Sequence, residues 1–301
     1  MNFLVTGAVG NPSAIIEYIE KMGHTAVFMQ NESEALPCDY EFVQAVICNG
    51  LFLHHSIEKF TSLKYIQLTS AGFDRVPMDY VKQKEIKIFN ARGVYNVPMA
   101  EFALCGVLQL YKKSRFFFEN QKRHEWIKNR EILQLDKKTI TIVGCGNVGT
   151  ECAKKFKAFD CRILGVDIYP HTDPNYEKIY PLDEIYEVLA KTDVLILTLP
   201  LTEKTYHFFD KDKLEKLKSG AVLVNIARGA VVDTNALIKA LNENISGAVL
   251  DVFEEEPLSK DSPLWDMQNV IITPHNSFVG EHNAQRLEQV IFANLGEIKN
   301  G

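Results

Sequence analysis

Short apolar runs alternate with amphipathic segments from residue 1 to about residue 90. Each run is rich in β-branched or aromatic residues and is bounded by turn-forming or polar residues, which predicts a buried strand. Between the first two runs, Pro12–Met22 carries Ile15, Ile16 and Ile19 on one face and predicts a helix. Alternating strands and helices imply a small parallel sheet with helices on both faces. The predicted strands are Phe3–Thr6, Thr25–Met29, Ala45–Cys48, Tyr65–Leu68 and Ile86–Phe89.

A second series of apolar runs begins at Lys138 and predicts a doubly wound parallel sheet. Helices are expected between these strands, with Lys211–Leu217 and Asn235–Leu241 among the clearest, and an amphipathic helix is expected from Glu281 onward. The spacing from Pro98 to about Lys128 predicts a long helical stretch that begins apolar and turns basic and aromatic. The six predicted strands are Ile140–Val143, Arg162–Val166, Val194–Leu199, Ala221–Ile226, Gly247–Val252 and Val270–Thr273.

The charge balance limits the classes of partner. The chain has 301 residues, enough for two domains, with an ordinary 46% apolar and 24% charged residues. A net charge of -6 argues against nucleic acid or an anionic membrane as the main partner. The basic and aromatic residues between Lys112 and Trp126 therefore fit a helix with a packed and a solvated face, or a dimer interface, better than a nucleic-acid surface. No apolar run approaches the roughly 18 residues that span a bilayer.

Cysteine usage and the first residues bear on the compartment. Six cysteines are scattered singly along the chain, and its start lacks the basic region of a signal peptide. Free thiols in a reducing cytoplasm are therefore expected rather than disulfides. No spacing of cysteine and histidine resembles a zinc site, so no metal is expected. The sequence thus predicts a cytoplasmic, metal-free protein.

Three unlike ionisable residues, Arg228, Glu256 and His275, each follow an apolar run in the last third of the chain. In an open α/β sheet, ligands bind outside the carboxyl ends of the strands. A cation, an acid and an imidazole at one such edge can form a proton-transfer site. Each of them alone more often does no more than solvate a loop. Their succession at three predicted strand ends favours a functional site.

A glycine-rich loop follows the predicted strand that ends at Val143 and opens a helix. This context, with Asp167 at the end of the next strand, is what dinucleotide binding requires. The glycines permit a tight turn, approach of a pyrophosphate and close packing of helix on strand, and Asp167 can bind ribose hydroxyls and repel a 2′-phosphate. NAD is therefore favoured over NADP, and a purely structural turn is the alternative interpretation. The loop residues assigned to the cofactor are Gly144, Gly146, Asn147, Val148 and Gly149.

Several longer motifs resemble those of the D-isomer-specific 2-hydroxyacid dehydrogenases. The resemblance is strong from about Lys138 to Phe278 and weaker from Ser70 to Glu101. Motifs of this length in this order are far more specific than a glycine loop alone. The matching runs are Leu199–Thr205, Lys218–Gly229, Leu250–Pro257, Ser262–Trp265 and Thr273–His275.

The resemblance implies a catalytic role for each of the three ionisable residues. Arg228 would bind the carboxylate and keto oxygen of the substrate, a task that suits a planar bidentate donor better than lysine. His275 would act as general acid in reduction and as general base in oxidation. Glu256 would accept a hydrogen bond from the imidazole, orient it and favour its charged form.

The choice of Glu256 among three consecutive glutamates also comes from the resemblance. Glu256 stands five residues after Asp251, as the catalytic glutamate does in the family's pattern. Glu254 and Glu255 remain fallback candidates.

The resemblance implies further contacts with substrate and cofactor. The run Ser70–Asp74 is similar to the family loop whose backbone N–H groups receive the substrate's carboxylate, which assigns Ala71 and Gly72 to substrate binding. Asp251 is expected near the nicotinamide carboxamide. The remaining cofactor contacts that the resemblance implies are Pro200, Thr205, Ala227 and Asp251.

The fold that the resemblance implies is α/β, with two Rossmann-like or flavodoxin-like parallel-sheet domains and a cleft between them. Residues 1–92 and 277–301 would form the substrate domain, and residues 93–276 the NAD-binding domain. The family also implies a homodimer through the cofactor domains, to which the helical stretch from Pro98 would contribute.

Departures from the family's patterns bear on the substrate. Phosphoglycerate-type members usually carry an Arg-Ser-type loop after the strand that here ends at Cys48, but Asn49–Phe52 stands at this point. Without a cation there, a small non-phosphorylated 2-keto acid of the glyoxylate, pyruvate or hydroxypyruvate class is expected, and Phe278 would narrow its pocket. The alternatives are an NAD(H)-sensing binding scaffold of the same fold and a phosphoglycerate-type dehydrogenase.

Overall fold

The computed structural model describes residues 1–299, which form two compact units. The N-terminal unit comprises Met1–Tyr95 and the segment that begins at Gly280, and the central unit comprises Asn96–Val279. Each unit is built around its own parallel sheet. The chain passes between the units after residues 95 and 279, whereas the sequence places these crossings after residues 92 and 276.

The sheet of the N-terminal unit is parallel throughout, with the strand order β2-β1-β3-β4-β5. Its strands, numbered along the chain, are β1 Asn2–Thr6, β2 Thr25–Met29, β3 Ala45–Cys48, β4 Tyr65–Leu68 and β5 Lys87–Phe89. Successive side chains of a strand point to opposite faces. In β1, Leu4 therefore joins one apolar cluster, while Phe3 and Val5 join the other. Both faces are covered, which explains why this strand is a continuous apolar run.

Among residues 1–299, three α-helices belong to the N-terminal unit: α1 Pro12–Lys21, α2 Met78–Gln83 and α9 Asn283–Lys299. Asn11 begins α1, because its side-chain oxygen accepts the backbone N–H of Ala14 at 3.4 Å. The apolar stripe of α1 shares a buried cluster with Leu287 and Ile291 of α9. The C-terminal amphipathic helix thus packs on the sheet that the first residues of the chain begin.

The central unit holds seven parallel strands in the order β12-β11-β10-β9-β6-β7-β8. The order reverses at β6, which lies between β9 and β7, and ligands of doubly wound sheets bind at such a switch point. The strands are β6 Thr139–Val143, β7 Arg162–Asp167, β8 Lys178–Pro181, β9 Val194–Leu197, β10 Val222–Asn225, β11 Gly247–Leu250 and β12 Val270–Ile272.

Helices connect most of the strands of the central unit, and two apolar clusters pack on the two faces of its sheet. Within residues 1–299, no helix is both long and apolar enough to cross a bilayer. The helices of this unit are α3 Asn96–Tyr111, α4 Ser114–Lys122, α5 Asn147–Lys157, α6 Tyr186–Leu189, α7 Lys211–Glu215 and α8 Thr234–Glu243.

Strand β8 is absent from the sequence prediction, which has six strands in this sheet instead of seven. β8 is a four-residue edge strand that ends in Pro181, and only Ile179 of its residues is buried. A half-exposed edge strand has no continuous apolar run. Its pairing with β7 is a tertiary contact that the local pattern does not show.

The long helical stretch predicted from Pro98 to about Lys128 is wrong in its extent. The first helix already begins at Asn96, and Pro98 is tolerated because N–H groups of the first turn have no partner inside the helix. Lys113 adopts a left-handed conformation with φ 54° and separates α3 from α4. No helix follows Lys122 until α5, and the side chain of Trp126 is 96% exposed.

Candidate active site

Three predicted site residues lie at the carboxyl edge of neighbouring strands in the central unit. Strands β10, β11 and β12 pair in parallel, so their carboxyl ends share one edge of the sheet. Arg228 comes three residues after β10, Asp251 directly follows β11, and His275 comes three residues after β12. These residues therefore lie together at the carboxyl ends of parallel strands, where ligands of open α/β sheets bind.

His275 and Glu256 form a direct contact. The imidazole Nδ1 and the carboxylate Oε2 are 2.7 Å apart, and Oε1 accepts the backbone N–H of Phe253 at 3.0 Å. Both side chains are 36% exposed. A carboxylate on Nδ1 orients the ring and leaves Nε2 as the nitrogen that can exchange a proton with a ligand. Of the three consecutive glutamates, Glu256 is the one that contacts His275.

The first glutamate of the run has a different set of partners. Glu254 accepts the backbone N–H and the hydroxyl of Thr234 and pairs with His207 Nε2 at 2.6 Å. Burial alone would raise the pKa of Glu254, but hydrogen bonds from Thr234 and His207 outweigh it and lower that pKa. This cluster was not predicted, since 47 residues separate His207 from Glu254 in the sequence. It anchors the segment that leads to Glu256.

Asp251 organises the turn that carries His275. Its carboxylate is fully buried and accepts three hydrogen bonds, from Thr273 Oγ1 at 2.6 Å, Asn276 N–H at 2.7 Å and Ser277 N–H at 2.9 Å. The backbone carbonyl of Asp251 also accepts the N–H of His275 at 2.8 Å. His275 has φ 50°, a conformation that costs a residue with a Cβ about 1 kcal/mol or more unless its surroundings hold it. The Asp251 carboxylate supplies that restraint.

The turn at Arg228 lies directly against the segment that precedes Glu256. A Cβ on Gly229 would come within 1.8 Å of the carbonyl carbon of Phe253, so only glycine permits this approach. Asn225 ties the turn together, because its side chain donates to the carbonyl of Arg228 at 3.0 Å and accepts the N–H of Ala227 at 3.1 Å. The guanidinium of Arg228 donates to the carbonyl of Ala227 at 2.8 Å, which directs part of the side chain.

The glycine loop after β6 has the features of a phosphate-binding turn. Gly144 has φ 98°, and a Cβ there would lie 2.7 Å from the backbone nitrogen of Leu199. A Cβ on Gly149 would lie 2.1 Å from the carbonyl oxygen of Gly144, so helix and loop pack closely. Gly146, in contrast, is exposed and has open space in front of it. The N-terminus of the 11-residue helix α5, with Asn147 and Val148 in its first turn, offers N–H groups to a diphosphate at this point.

Asp167 stands at the end of β7, beside the glycine loop. Its Oδ2 accepts the N–H of Cys145 at 2.6 Å, and its Oδ1 accepts the N–H of Tyr169 at 2.9 Å. Each carboxylate oxygen can accept a second hydrogen bond, as a ribose hydroxyl would require. The residues of this edge thus fit the adenosine end of a dinucleotide. The contact of Asp167 with a ribose stays a prediction.

The loop from Pro200 to Thr205 is closed by its own hydrogen bonds. The hydroxyl of Thr205 is buried, donates to the carbonyl of Pro200 and accepts the N–H of Thr202, both at 2.7 Å. Thr205 therefore shapes the loop from inside, whereas Pro200 is exposed. Ala227, the other cofactor contact that the resemblance implies, is buried. Their contacts with a cofactor remain predictions.

Ala71 and Gly72 belong to the N-terminal unit and follow β4. Their carbonyls are occupied, since Asn90 Nδ2 donates to Ala71 at 2.6 Å and Ser70 Oγ donates to Gly72 at 3.0 Å. In the described part of the chain, no acceptor faces the backbone N–H of either residue. The loop can therefore offer these two N–H groups to an anionic ligand, as the sequence predicts for a carboxylate.

The chain is similar to a known protein family and to several named proteins. The model of the D-isomer specific 2-hydroxyacid dehydrogenase NAD binding domain matches residues 104–277. A glyoxylate reductase from Thermofilum pendens is 35% identical over 251 residues, which are 80% of this chain and 73% of that protein. A D-3-phosphoglycerate dehydrogenase from Methanocaldococcus jannaschii is 33% identical over 248 residues, 81% of this chain but 47% of that protein.

A solved structure is similar over the full chain. The crystal structure of D-lactate dehydrogenase from Aquifex aeolicus, complexed with NAD and lactic acid, has a TM-score of 0.82 and 25% sequence identity. The similarity covers 100% of this chain and 96% of that one. The matched family model ends two residues after His275, so it includes Arg228, Glu256 and His275.

Proposed function

This chain belongs to the D-isomer specific 2-hydroxyacid dehydrogenase family of NAD-dependent oxidoreductases, and from that premise we propose that it reduces a small 2-keto acid with NADH. The observation that carries the proposal is the hydrogen bond between His275 and Glu256, at the same sheet edge as Arg228. A binding scaffold has no use for an oriented imidazole–carboxylate pair beside a guanidinium. We therefore favour the enzyme.

The central unit would hold the cofactor along its carboxyl edge. The open backbone at Gly146 and the N-terminus of α5 would bind the diphosphate, and Asp167 the adenosine ribose. Bound NADH supplies the hydride that reduces the keto carbon. The buried loop ends at Thr205 and Ala227 would shape the rest of the cofactor's path.

The proton and the charge of the reaction would be handled by three side chains. Arg228 would bind the substrate's carboxylate and polarise the keto oxygen, because its planar fork can donate two hydrogen bonds at once. His275 would deliver the proton from Nε2 to that oxygen as the carbon is reduced. Glu256 on Nδ1 would hold the ring in place. The N–H groups of Ala71 and Gly72 would receive the carboxylate.

The substrate that we favour is a non-phosphorylated 2-keto acid of the glyoxylate, pyruvate or hydroxypyruvate class. The loop after β3, Asn49–Phe52, carries no cation that could bind a phosphate. The relative from Thermofilum pendens, named a glyoxylate reductase, supports this class, and the one from Methanocaldococcus jannaschii makes phosphoglycerate chemistry the alternative.

The test is NADH consumption with a panel of 2-keto acids, measured in parallel with NADH affinity. Turnover of glyoxylate, pyruvate or hydroxypyruvate, and slower turnover of 3-phosphohydroxypyruvate, is the expected result. Tight NADH binding without turnover of any keto acid would contradict the enzyme and leave the binding scaffold.

A homodimer and a cytoplasmic location are further proposals. Exposed aromatic side chains such as Phe117, Phe118 and Trp126 support the dimer, because aromatic residues are enriched in subunit interfaces. The helix α4 and the extended segment after it would then contribute to the contact between two copies.

Replacing Asp167 with asparagine is expected to relax the preference for NADH over NADPH. Asparagine keeps one acceptor oxygen, so it can retain the hydrogen bond from Cys145 or from Tyr169 but not both, and it removes the charge that would repel a 2′-phosphate. Because like charges in contact cost several kcal/mol, the NADPH-to-NADH ratio of kcat/KM should rise by about 100-fold. The matched control is Asp173→Asn, whose carboxylate only ties its own loop at Asn175. Equal ratios in both variants and the wild type would refute the assignment.

Replacing Asp251 with asparagine is expected to lower kcat by about 10- to 100-fold, because a misplaced catalytic group can cost that much. The amide would set an N–H group against the N–H of Ser277 and loosen the turn that holds His275. NADH affinity, measured by fluorescence titration, should stay near the wild-type value. A large loss of NADH affinity with normal kcat would instead assign Asp251 to the cofactor. Asp233→Asn, at the cap of α8, is the control.

A further inference from the structure

A carboxylate is built into the carboxyl edge of the N-terminal sheet. Glu32, three residues after β2, accepts Thr6 Oγ1 at 2.7 Å and the backbone N–H of Asn49 at 2.7 Å through Oε1. Its Oε2 accepts the N–H of Gly50 at 2.6 Å. Because β1 lies between β2 and β3, this one side chain joins the ends of three strands.

The same contacts block an anion site. Two successive backbone N–H groups in a turn form a concavity that binds anions. At Asn49 and Gly50 that concavity is occupied by the carboxylate of Glu32. In addition, the side-chain Oδ1 of Asn49 is buried and has no hydrogen-bond partner among residues 1–299. This corner of the sheet therefore carries a negative charge, and its two backbone donors are already in use.

The corner is adjacent to the loop that we assign to the substrate. Strands β3 and β4 pair with Cys48 opposite Leu68, and Thr69 N–H donates to the carbonyl of Cys48 at 2.9 Å. Neighbouring strands are about 4.8 Å apart, so the turn at Asn49 lies beside the loop of Ala71 and Gly72. A group that projects from a substrate bound on that loop can come within reach of Glu32.

We propose that Glu32 is a specificity determinant that selects against 2-keto acids with a second anionic group. The proposal rests on the proposed function, since it requires the substrate's carboxylate to bind at Ala71 and Gly72. The preferred substrates are then monoanions whose far end is neutral. Two effects act together. The Glu32 carboxylate repels a phosphate or second carboxylate, and the N–H groups of Asn49 and Gly50 that could bind such a group are already bonded to Glu32.

A cation near this corner, Arg75, would by itself favour multiply charged substrates. The side chain of Arg75 passes Gly50, with its Cδ 4.0 Å from the place where a Cβ of Gly50 would be. Within residues 1–299, no salt bridge joins Arg75 to Glu32. Arg75 is exposed, whereas Glu32 is partly buried and held by three hydrogen bonds. The carboxylate is therefore the more firmly held of the two charges at the turn.

The experiment compares kcat/KM for monoanions, glyoxylate and hydroxypyruvate, with that for oxaloacetate and 3-phosphohydroxypyruvate. The wild type should prefer the monoanions. Glu32→Gln keeps the size of the side chain and removes its charge, and it should raise the ratio of multiply charged to singly charged substrates by about tenfold. Glu32→Asp, which keeps the charge, should stay closer to the wild-type ratio.

The matched control is Glu34→Gln, which removes the same charge two residues away from an exposed side chain that accepts a hydrogen bond from Asn31 in its own turn. The role of Glu32 is overturned if E32Q leaves the ratio of multiply to singly charged substrates unchanged, or if E34Q shifts that ratio equally. A wild type that prefers the multiply charged substrates overturns it as well. If E32Q fails to fold, Asn49→Lys leaves Glu32 in place and adds a cation; an unchanged ratio there also refutes the proposal. Absence of any wild-type turnover contradicts the proposed function instead.

Discussion

Replacement of His275 with glutamine lowers kcat for NADH-dependent keto-acid reduction by about 10²- to 10⁴-fold, the usual contribution of a positioned acid–base group. Glutamine can still contact Glu256 but has no proton to deliver at neutral pH. The backbone of the turn remains held by Asp251, so folding and NADH affinity should change little. The measurement is steady-state kinetics with glyoxylate, together with NADH titration and a thermal melting curve.

His282→Gln is the matched control for His275. His282 is an exposed histidine of the N-terminal unit whose ring pairs with the neighbouring Glu281. This variant should keep wild-type kinetics. A His275→Gln enzyme that retained more than about a tenth of the wild-type kcat at saturating substrate would remove His275 from the chemistry.

The second large effect is expected at Arg228. Replacement with alanine should lower kcat/KM by about 10²- to 10³-fold, since it removes charge-assisted hydrogen bonds to the substrate worth roughly 3–4 kcal/mol. We expect KM to increase and kcat to decrease, because Arg228 contacts the substrate in both the ground state and the transition state. Arg228→Lys should recover little of the loss, since an ammonium group cannot reproduce a planar bidentate donor.

The control for Arg228 is Arg162→Ala. Arg162 begins β7 at the amino edge of the sheet, where it forms an exposed ion pair with Glu177. Loss of an exposed pair costs about 1 kcal/mol of stability or less, and the kinetics should not change. If Arg228→Ala left kcat and KM at wild-type values, the substrate would not bind where we place it.

Local patterns were sufficient to predict most of the architecture. Apolar runs such as Ala45–Cys48 and Gly247–Val252 identify buried strands because both faces of a parallel sheet are covered. The α/β architecture and the NAD cofactor predicted from local patterns are confirmed, and so is the family predicted from the resemblance of its longer motifs. The edge strand Lys178–Pro181 was missed, because a strand with one exposed face and one neighbour leaves no such run.

For the candidate site too, local patterns identified residues but not their contacts. Arg228, Glu256 and His275 were found because each follows an apolar run, the glycine loop because its turn chemistry is local, and Asp251 through the family resemblance. The hydrogen-bond partners of each side chain could not be predicted from the sequence. Asp251, expected near the nicotinamide, has its carboxylate engaged by the turn of His275, and Thr205 closes its own loop. These partners depend on backbone geometry at atomic distances.

Glu32 shows where prediction from sequence ends. It too follows a strand, so the strand-end rule could have selected it, but nothing local indicates its partners. Its contact with Asn49 spans 17 residues and its contact with Thr6 spans 26, and both exist because β1 inserts between β2 and β3. The sequence alone determined the strands, the glycine loop and the family, because spacing and turn residues act over a few positions. Only the tertiary structure decided which carboxylate meets which donor, because strand order brings together groups that are far apart along the chain.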